Sequence, residues 1–169
     1  LSNARDEQAE KDYDQAEAYY KRAIDASPED VTILGSYAAF LHTIRADYEH
    51  SEQYYELALK ANPDHPGVLA SYAYYLHYIK EDYHRAEQLY RRAIALAPND
   101  ADNLGSYALF LENVKKDYVL AEEYYQKAIE LSPNEPFILS NYAIFLDCIR
   151  KDSIRADTYF KRLKTLQEQ

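Results

Sequence analysis

Methionine and tryptophan are absent from this chain, and glycine occurs three times, proline six times and cysteine once. Each scarcity excludes something. A single cysteine, Cys148, rules out an internal disulfide and suits a reducing compartment. So few glycines and prolines leave no long flexible linker. No apolar run approaches the roughly 20 residues that span a bilayer, and no signal peptide is visible. The default expectation is a cytoplasmic protein. Without methionine the start residue is missing, and Ser2-Asn3-Ala4 resembles what remains when an expression tag is cleaved. Residues 1–10 are therefore read as a leader or tag remnant, and the chain as part of something larger.

Positive charge is also scarce. Lysine and arginine number 19 against 29 acidic residues, for a net charge of −10 and a pI near 4.9. Such a surface repels nucleic acid and anionic membranes and favours basic partners. No glycine-rich phosphate loop, H-E-x-x-H, G-x-S-x-G or metal-spaced cysteine pair occurs, and the SYA and NYA segments lie on helices with no nucleophile elbow. The expectation is a non-catalytic protein that takes no cofactor or metal.

What the chain does have is a 35-residue period. KDYDQAEAYYKRAIDASPED from Lys11 returns as ADYEHSEQYYELALKANPDH from Ala46, EDYHRAEQLYRRAIALAPND from Glu81 and KDYVLAEEYYQKAIELSPNE from Lys116. A shorter row, KDSIRADTYFKRLKTLQEQ, begins at Lys151. A fixed period in this range marks a solenoid, in which each unit buries its apolar face on the next. With 47% hydrophobic residues, the 169-residue chain can bury a substantial core as one domain.

Each unit reads as two helices. In the unit from Asp100 to Asn134, Leu104, Tyr107, Ala108 and Leu111 form one apolar face, and Tyr118, Ala121, Tyr125 and Ala128 form another. Both have helical spacing and lack the alternation of a strand. Pro28, Pro63, Pro98 and Pro133 follow the second helices, where a helix cannot continue through proline. Asp30, Asp64, Asp100 and Asn134 are expected to cap the next first helix, and Asp47, Asp82, Asp117 and Asp152 the second helices. Pro66 and Pro136 stand near the first helical position, where a missing N–H matters little. Ala38, Ala73, Ala108 and Ala143 recur on the first helices, and Ala23, Ala58, Ala93 and Ala128 on the second. Recurring small residues admit a neighbouring backbone, and the 19 tyrosines fill the space beside them with their hydroxyls reaching the surface.

These residues resemble the tetratricopeptide repeat, whose unit has two antiparallel helices. It carries small residues near its eighth, twentieth and twenty-seventh positions, an aromatic near the twenty-fourth and a proline near the thirty-second. In the third unit the counterparts are Ala108, Ala121, Ala128, Tyr125 and Pro133, and the pattern returns in units beginning near Val31, Pro66 and Pro136. The resemblance implies an all-α fold, an α-α superhelix or right-handed solenoid of antiparallel helix pairs. A leading half-repeat would occupy 11–29 and four units 30–64, 65–99, 100–134 and 135–169. Two departures stand out. Leu34, Leu69, Leu104 and Leu139 replace the usual tryptophan, and the period exceeds the family's by one residue at the turn near Arg45, Lys80, Lys115 and Arg150. A slightly longer first helix is expected there. Thirty-five is also the pentatricopeptide period, and that family binds single-stranded RNA, but a net charge of −10 opposes phosphate binding.

The resemblance further implies a protein–protein interaction scaffold whose first helices line a concave groove for a peptide or helix. Carried over position by position, the groove comprises Thr32, Gly35, Ala39, His42 and Thr43, then Gly67, Ala70, Tyr74, His77 and Tyr78. The third unit adds Asp102, Gly105, Leu109, Glu112 and Asn113, and the fourth Phe137, Ser140, Ile144, Asp147 and Cys148. No lysine or arginine stands among them, so the clamp that family members use for the C-terminal carboxylate of heat-shock chaperones is missing. Tyr74, Tyr78, Leu109, Phe137 and Ile144 offer an apolar floor for a partner, or alternatively pack inside a tight superhelix. Asp102, Glu112 and Asp147 call for an amphipathic partner with basic residues. His42, His77, Glu112 and Asp147 are expected to form a solvated column, since first helices roughly 8–10 Å apart cannot converge on one ion.

The ends differ. At the last helix Leu163 and Lys164 replace Ala128 and Ile129 of the unit before, so Ala156 to Gln169 is expected to be a C-terminal cap. The Ala16, Tyr20 and Ala23 face of the leading helix is unaltered and lacks a first helix before it, which makes homodimerisation through it an option. Alternatives to a binding scaffold are an accessory or regulatory segment of a larger enzyme and a self-associating structural module.

Overall fold

The computed structural model describes residues 2–168, with side chains from Gln8 onward. Among them are nine α-helices and no strand: α1 Ser2–Ala26, α2 Val31–Phe40, α3 Tyr48–Ala61, α4 Pro66–Tyr75, α5 Tyr83–Leu96, α6 Ala101–Phe110, α7 Tyr118–Leu131, α8 Pro136–Phe145 and α9 Ser153–Gln167. Helices α2 with α3, α4 with α5, α6 with α7 and α8 with α9 pack as pairs, and each second helix also packs on the first helix of the next unit. The first helices touch one another in sequence, α2 to α4 to α6 to α8. The chain is an all-α superhelix of stacked hairpins. Helix α1 runs back through the segment set apart as a leader, so residue 10 marks no break in the backbone. The side chains of residues 1–7 in that segment lie outside the described residues.

The additional residue of each period is absorbed in a π turn. Leu41–Arg45, Leu76–Lys80, Leu111–Lys115 and Leu146–Arg150 continue the first helices with a wider i→i+5 pattern. Each ends on a left-handed residue, Ala46, Glu81, Lys116 or Lys151, with φ of 53–57°. In the first, the Ala46 and Asp47 N–H groups both donate to the Leu41 carbonyl, one residue wider than the usual helix-ending motif. This is the longer first helix anticipated from the sequence.

The second helices start on Asp47, Asp82, Asp117 and Asp152, whose carboxylates accept from His50, Arg85, Leu120 and Arg155 N–H. The first helices are less uniform. Asp30 and Asp100 cap as expected, but the other two caps fall one residue later than the sequence reading put them. His65 Nδ1, not Asp64, accepts from Val68 N–H, and Glu135 stands at the cap of α8 without a side-chain bond. Asp64 and Asn134 instead accept from Arg92 and Arg162 in the following second helix.

Buried tyrosines and alanines form the core. Ala38, Ala73, Ala108 and Ala143 are fully buried, as are Ala58, Ala93 and Ala128, with Tyr55, Tyr90 and Tyr125 beside them. Burial is worth about 25 cal/mol per Å² of apolar surface removed from water, so each tyrosine contributes more than each alanine. At each junction the cation that ends the π turn reaches back 28 residues to a glutamate of the preceding unit: Arg45 to Glu17, Lys115 to Glu87 and Arg150 to Glu122. Lys80 pairs with Glu52 at 2.8 Å. Tyr37, Tyr72 and Tyr142 donate their hydroxyls to Glu17, Glu52 and Glu122. These four cations, each in the last turn of a first helix, therefore tie successive units together.

Candidate interaction groove

Helix geometry decides which first-helix side chains face outward. Ala38 is buried, so residues three before and four after it share its stripe. Those residues are Gly35 and His42, the fifth and twelfth positions of the unit. Both are buried, as are His77, Ala70 and Gly105 in later units. A Cβ on Gly35 would lie 2.5 Å from Val68 Cγ2, and one on Gly105 would lie 3.0 Å from Ile138 Cγ1. These glycines let successive first helices approach and do not floor a groove.

The two histidines correct the expected solvated column. His42 is 8% exposed and His77 4%. The His42 ring lies 5.4 Å from Tyr75 with Nδ1 3.2 Å from the Ala38 carbonyl. His77 sits among Tyr78, Tyr83, Tyr90 and Phe110. Burial lowers the pKa of both, that of His77 to about 4. Glu112 is half-buried and accepts the Tyr125 hydroxyl at 2.9 Å; burial raises its pKa against the pull of that bond. Of the four, only Asp147, which accepts from Ser153 Oγ, is exposed.

The outward rows are the second, sixth, ninth and thirteenth positions. They run Thr32, Gly67, Asp102, Phe137; Ser36, Ser71, Ser106, Asn141; Ala39, Tyr74, Leu109, Ile144; and Thr43, Tyr78, Asn113, Cys148. Each of these residues is exposed or half-buried. Ser36, Ser71, Ser106 and Asn141, which open the SYA and NYA segments, are not among the positions carried over from the family. Their position, two before the buried alanine, was the available signal.

Between α2, α4 and α6 these rows enclose a cleft of about 370 Å³, lined by Ala39, Thr43, Gly67, Ser71, Tyr74, Asp102, Asn103 and Ser106, with His42 and Ala70 behind. An adjoining cleft of about 270 Å³ shares Ala39, Gly67 and Ser71 and adds Thr32 and Ser36. Tyr74 and Tyr78 rings lie 4.5 Å apart, and Asn113 Nδ2 donates to the Tyr78 hydroxyl at 3.4 Å. Burial pushes the Tyr78 hydroxyl up to about 12. Burial also raises the Asp102 pKa, with Glu135 and Asp100 adding to it. Ala39, Tyr74 and Asp102 thus meet in one cleft, with Thr32 next to it. Phe137, Ile144 and Asp147 lie further along α8 and its π turn, and Leu109, Glu112 and Asn113 lie outside the cleft lining. Among the described residues no helix is long and apolar enough to cross a membrane.

Solved structures with this fold include that of Pseudomonas aeruginosa pilF, 22% identical with a TM-score of 0.73 over 94% of this chain and 70% of the other. PilW, described as a widely conserved type IV pilus biogenesis factor, is 18% identical with a TM-score of 0.77 over 99% and 76%. YrrB, described as a TPR protein with an unusual peptide-binding site, is 16% identical with a TM-score of 0.61 over 95% and 81%. No curated protein matches the chain. The tetratricopeptide repeat family matches residues 1–66 and 75–136, most of the sequence, and the chain belongs to that family.

Proposed function

We propose that this chain, an interaction scaffold by family, holds an extended peptide or amphipathic helix with basic residues along the outward rows of α2, α4, α6 and α8. The observation that carries the reading is the ninth-position row. There Tyr74, Leu109 and Ile144 follow one another on adjacent helices, flanked by Tyr78 and Phe137, which are 39% and 37% exposed. Aromatic anchors of this kind dominate recognition where a partner can desolvate them. Asp102 and Asp147 beside them, on a chain of net charge −10, favour a cationic partner. YrrB agrees with a peptide ligand by analogy of fold alone. The test is to pan a random 12-residue peptide library on the whole chain, then measure the Kd of selected synthetic peptides. Tyr74→Ala, Tyr78→Ala and Leu109→Ala together should weaken binding at least tenfold, the effect of about 1.4 kcal/mol. Affinity unchanged by all three would reject the groove.

A second reading rests on a separate feature. Ala16, Tyr19, Tyr20 and Ala23 of α1 line a mostly apolar cleft of about 450 Å³ with Thr32, Ile33 and Ser36, and Tyr19 is 65% exposed. Self-association there would cover a face that is fully buried at Tyr55 and Ala58 one unit later. Sedimentation equilibrium at high concentration decides it: a monomer rejects the dimer, and a dimer abolished by Tyr19→Asp supports it.

A further inference from the structure

One first-helix position breaks the repeat in the middle of the groove. The third positions are Ile33, Val68, Asn103 and Ile138, three aliphatic residues and one amide. Val68 and Ile138 are 4% and 0% exposed and press on the glycine of the preceding first helix. Asn103 is as buried, at 4%, and the fifth position of the unit before it is Ala70 in place of glycine. Its backbone N–H is held by the Asp100 carboxylate at 3.0 Å, yet its side-chain Nδ2 has no hydrogen-bond partner. A buried amide without a partner destabilises the fold, and an aliphatic residue stands at this place in every other unit. Local rules broken without compensation mark functional positions. The amide also lines the cleft between α2, α4 and α6, next to Asp102, Ser71, Ser106 and Tyr74.

We infer that Asn103 reads the main chain of a basic peptide laid across this cleft: its side chain turns so that the amide, sealed from water in the free chain, donates to a peptide carbonyl, while Asp102 pairs with a lysine or arginine of the same segment. This rests on the groove reading above and narrows it to one subsite. The chemistry of the lining selects the ligand. A carboxylate or phosphate would meet Asp102 and Asp100 with no lysine or arginine in the lining to offset them. A purely apolar side chain would leave the Asn103 amide unpaired. A peptide carbonyl satisfies that amide, and an ammonium or guanidinium satisfies Asp102, whose own surroundings of burial, Asp100 and Glu135 favour an added cation. The serine hydroxyls on either side donate or accept as the main chain requires. A volume of about 370 Å³ falls within the range of ligand-sized clefts, roughly 300–1,000 Å³.

The experiment uses the full chain and synthetic 12-residue peptides selected on it from a random library, each also made with norleucine or citrulline in place of its lysines or arginines. Fluorescence anisotropy gives Kd for the wild type and for Asn103→Val, Asp102→Asn and Ile144→Ser; thermal unfolding gives stability. Asn103→Val should raise the midpoint by a few degrees, because it restores the repeat's own residue, and should weaken binding about tenfold. Asp102→Asn should erase the preference for the charged peptide over its neutral analogue. If Ile144→Ser weakens binding while Asn103→Val and Asp102→Asn do not, the groove stands and this subsite is wrong. If no groove variant matters, or no peptide is selected, both fall. A lowered midpoint in Asn103→Val makes Asn103 a structural residue and likewise overturns the inference.

Discussion

Replacing His77 by leucine should reduce the sensitivity of this fold to acid. The His77 ring is 4% exposed, with centroids 4.0 Å from Tyr78, 6.1 Å from Tyr83, 6.4 Å from Tyr90 and 5.1 Å from Phe110. None of these neighbours is charged at neutral pH, and burial alone takes its pKa from 6.5 to about 4. Unfolding releases the ring to water, where it titrates near its ordinary value, so between those two pH values the unfolded chain binds more protons. Stability from the neutral histidine is therefore complete above pH 6.5 and is lost as the pH falls through about 4. The full effect is about 3 kcal/mol at roughly 1.36 kcal/mol per pH unit, and about 2 kcal/mol of it is already lost at pH 5. Urea unfolding of wild type and His77→Leu at pH 7.5 and 5.0 measures it. His42 shifts in the same direction and Asp102 and Glu112 in the opposite one, but all three are common to both proteins and drop out of the difference. The wild type should lose about 2 kcal/mol more than the variant between the two pH values. An equal loss in both proteins refutes the reasoning.

The packing makes three further predictions, each read by chemical denaturation. Gly35→Ala should destabilise by about 1 kcal/mol, since overpacking against Val68 outweighs the gain in helix propensity; Gly67→Ala, whose Cβ would meet only His65 at 3.5 Å, should be neutral or stabilise by up to about 1 kcal/mol. Lys116→Gly, at φ 56°, should stabilise by about 0.5 kcal/mol, because relief of the left-handed conformation exceeds the entropy that glycine loses. Glu122→Ala should cost about 2 kcal/mol, because its 15%-exposed carboxylate holds Arg150 at 2.7 Å, Arg155 at 3.1 Å and the Tyr142 hydroxyl. Glu87→Ala, which loses one half-exposed lysine, should cost about 0.5 kcal/mol.

The helix pairs were legible because Ala38, Ala73, Ala108 and Ala143 mark the buried stripe at a fixed interval and Asp47 and its counterparts mark each second helix. The π turn was legible only as an additional residue. Its geometry depends on a left-handed Ala46, Glu81, Lys116 or Lys151, residue types that carry no signal for that conformation. The groove rows were half-legible. Positions borrowed from the family placed His42 and Gly35 outward, although their spacing of four and three from Ala38 already assigns them to the core. Caps at His65 and Glu135 are signalled by Pro66 and Pro136 at the first helical position, but Asp64 and Asn134 one residue earlier are the better capping residue types and drew the assignment away. The glutamate ladder spans 28 residues and exists only once units stack, so no local pattern announces it. Asn103 was visible among isoleucines and valine, but its meaning depends on burial and an unpaired amide, which only packing determines.

That a partner lies along the second, sixth, ninth and thirteenth positions of the first helices is tested most directly by NMR shift mapping of the whole chain with a selected peptide. The largest changes should fall on Ser71, Tyr74, Asn103, Ser106 and Leu109. Changes confined to exposed side chains of the second helices, such as Leu57, Val119 and Ile154, would contradict it.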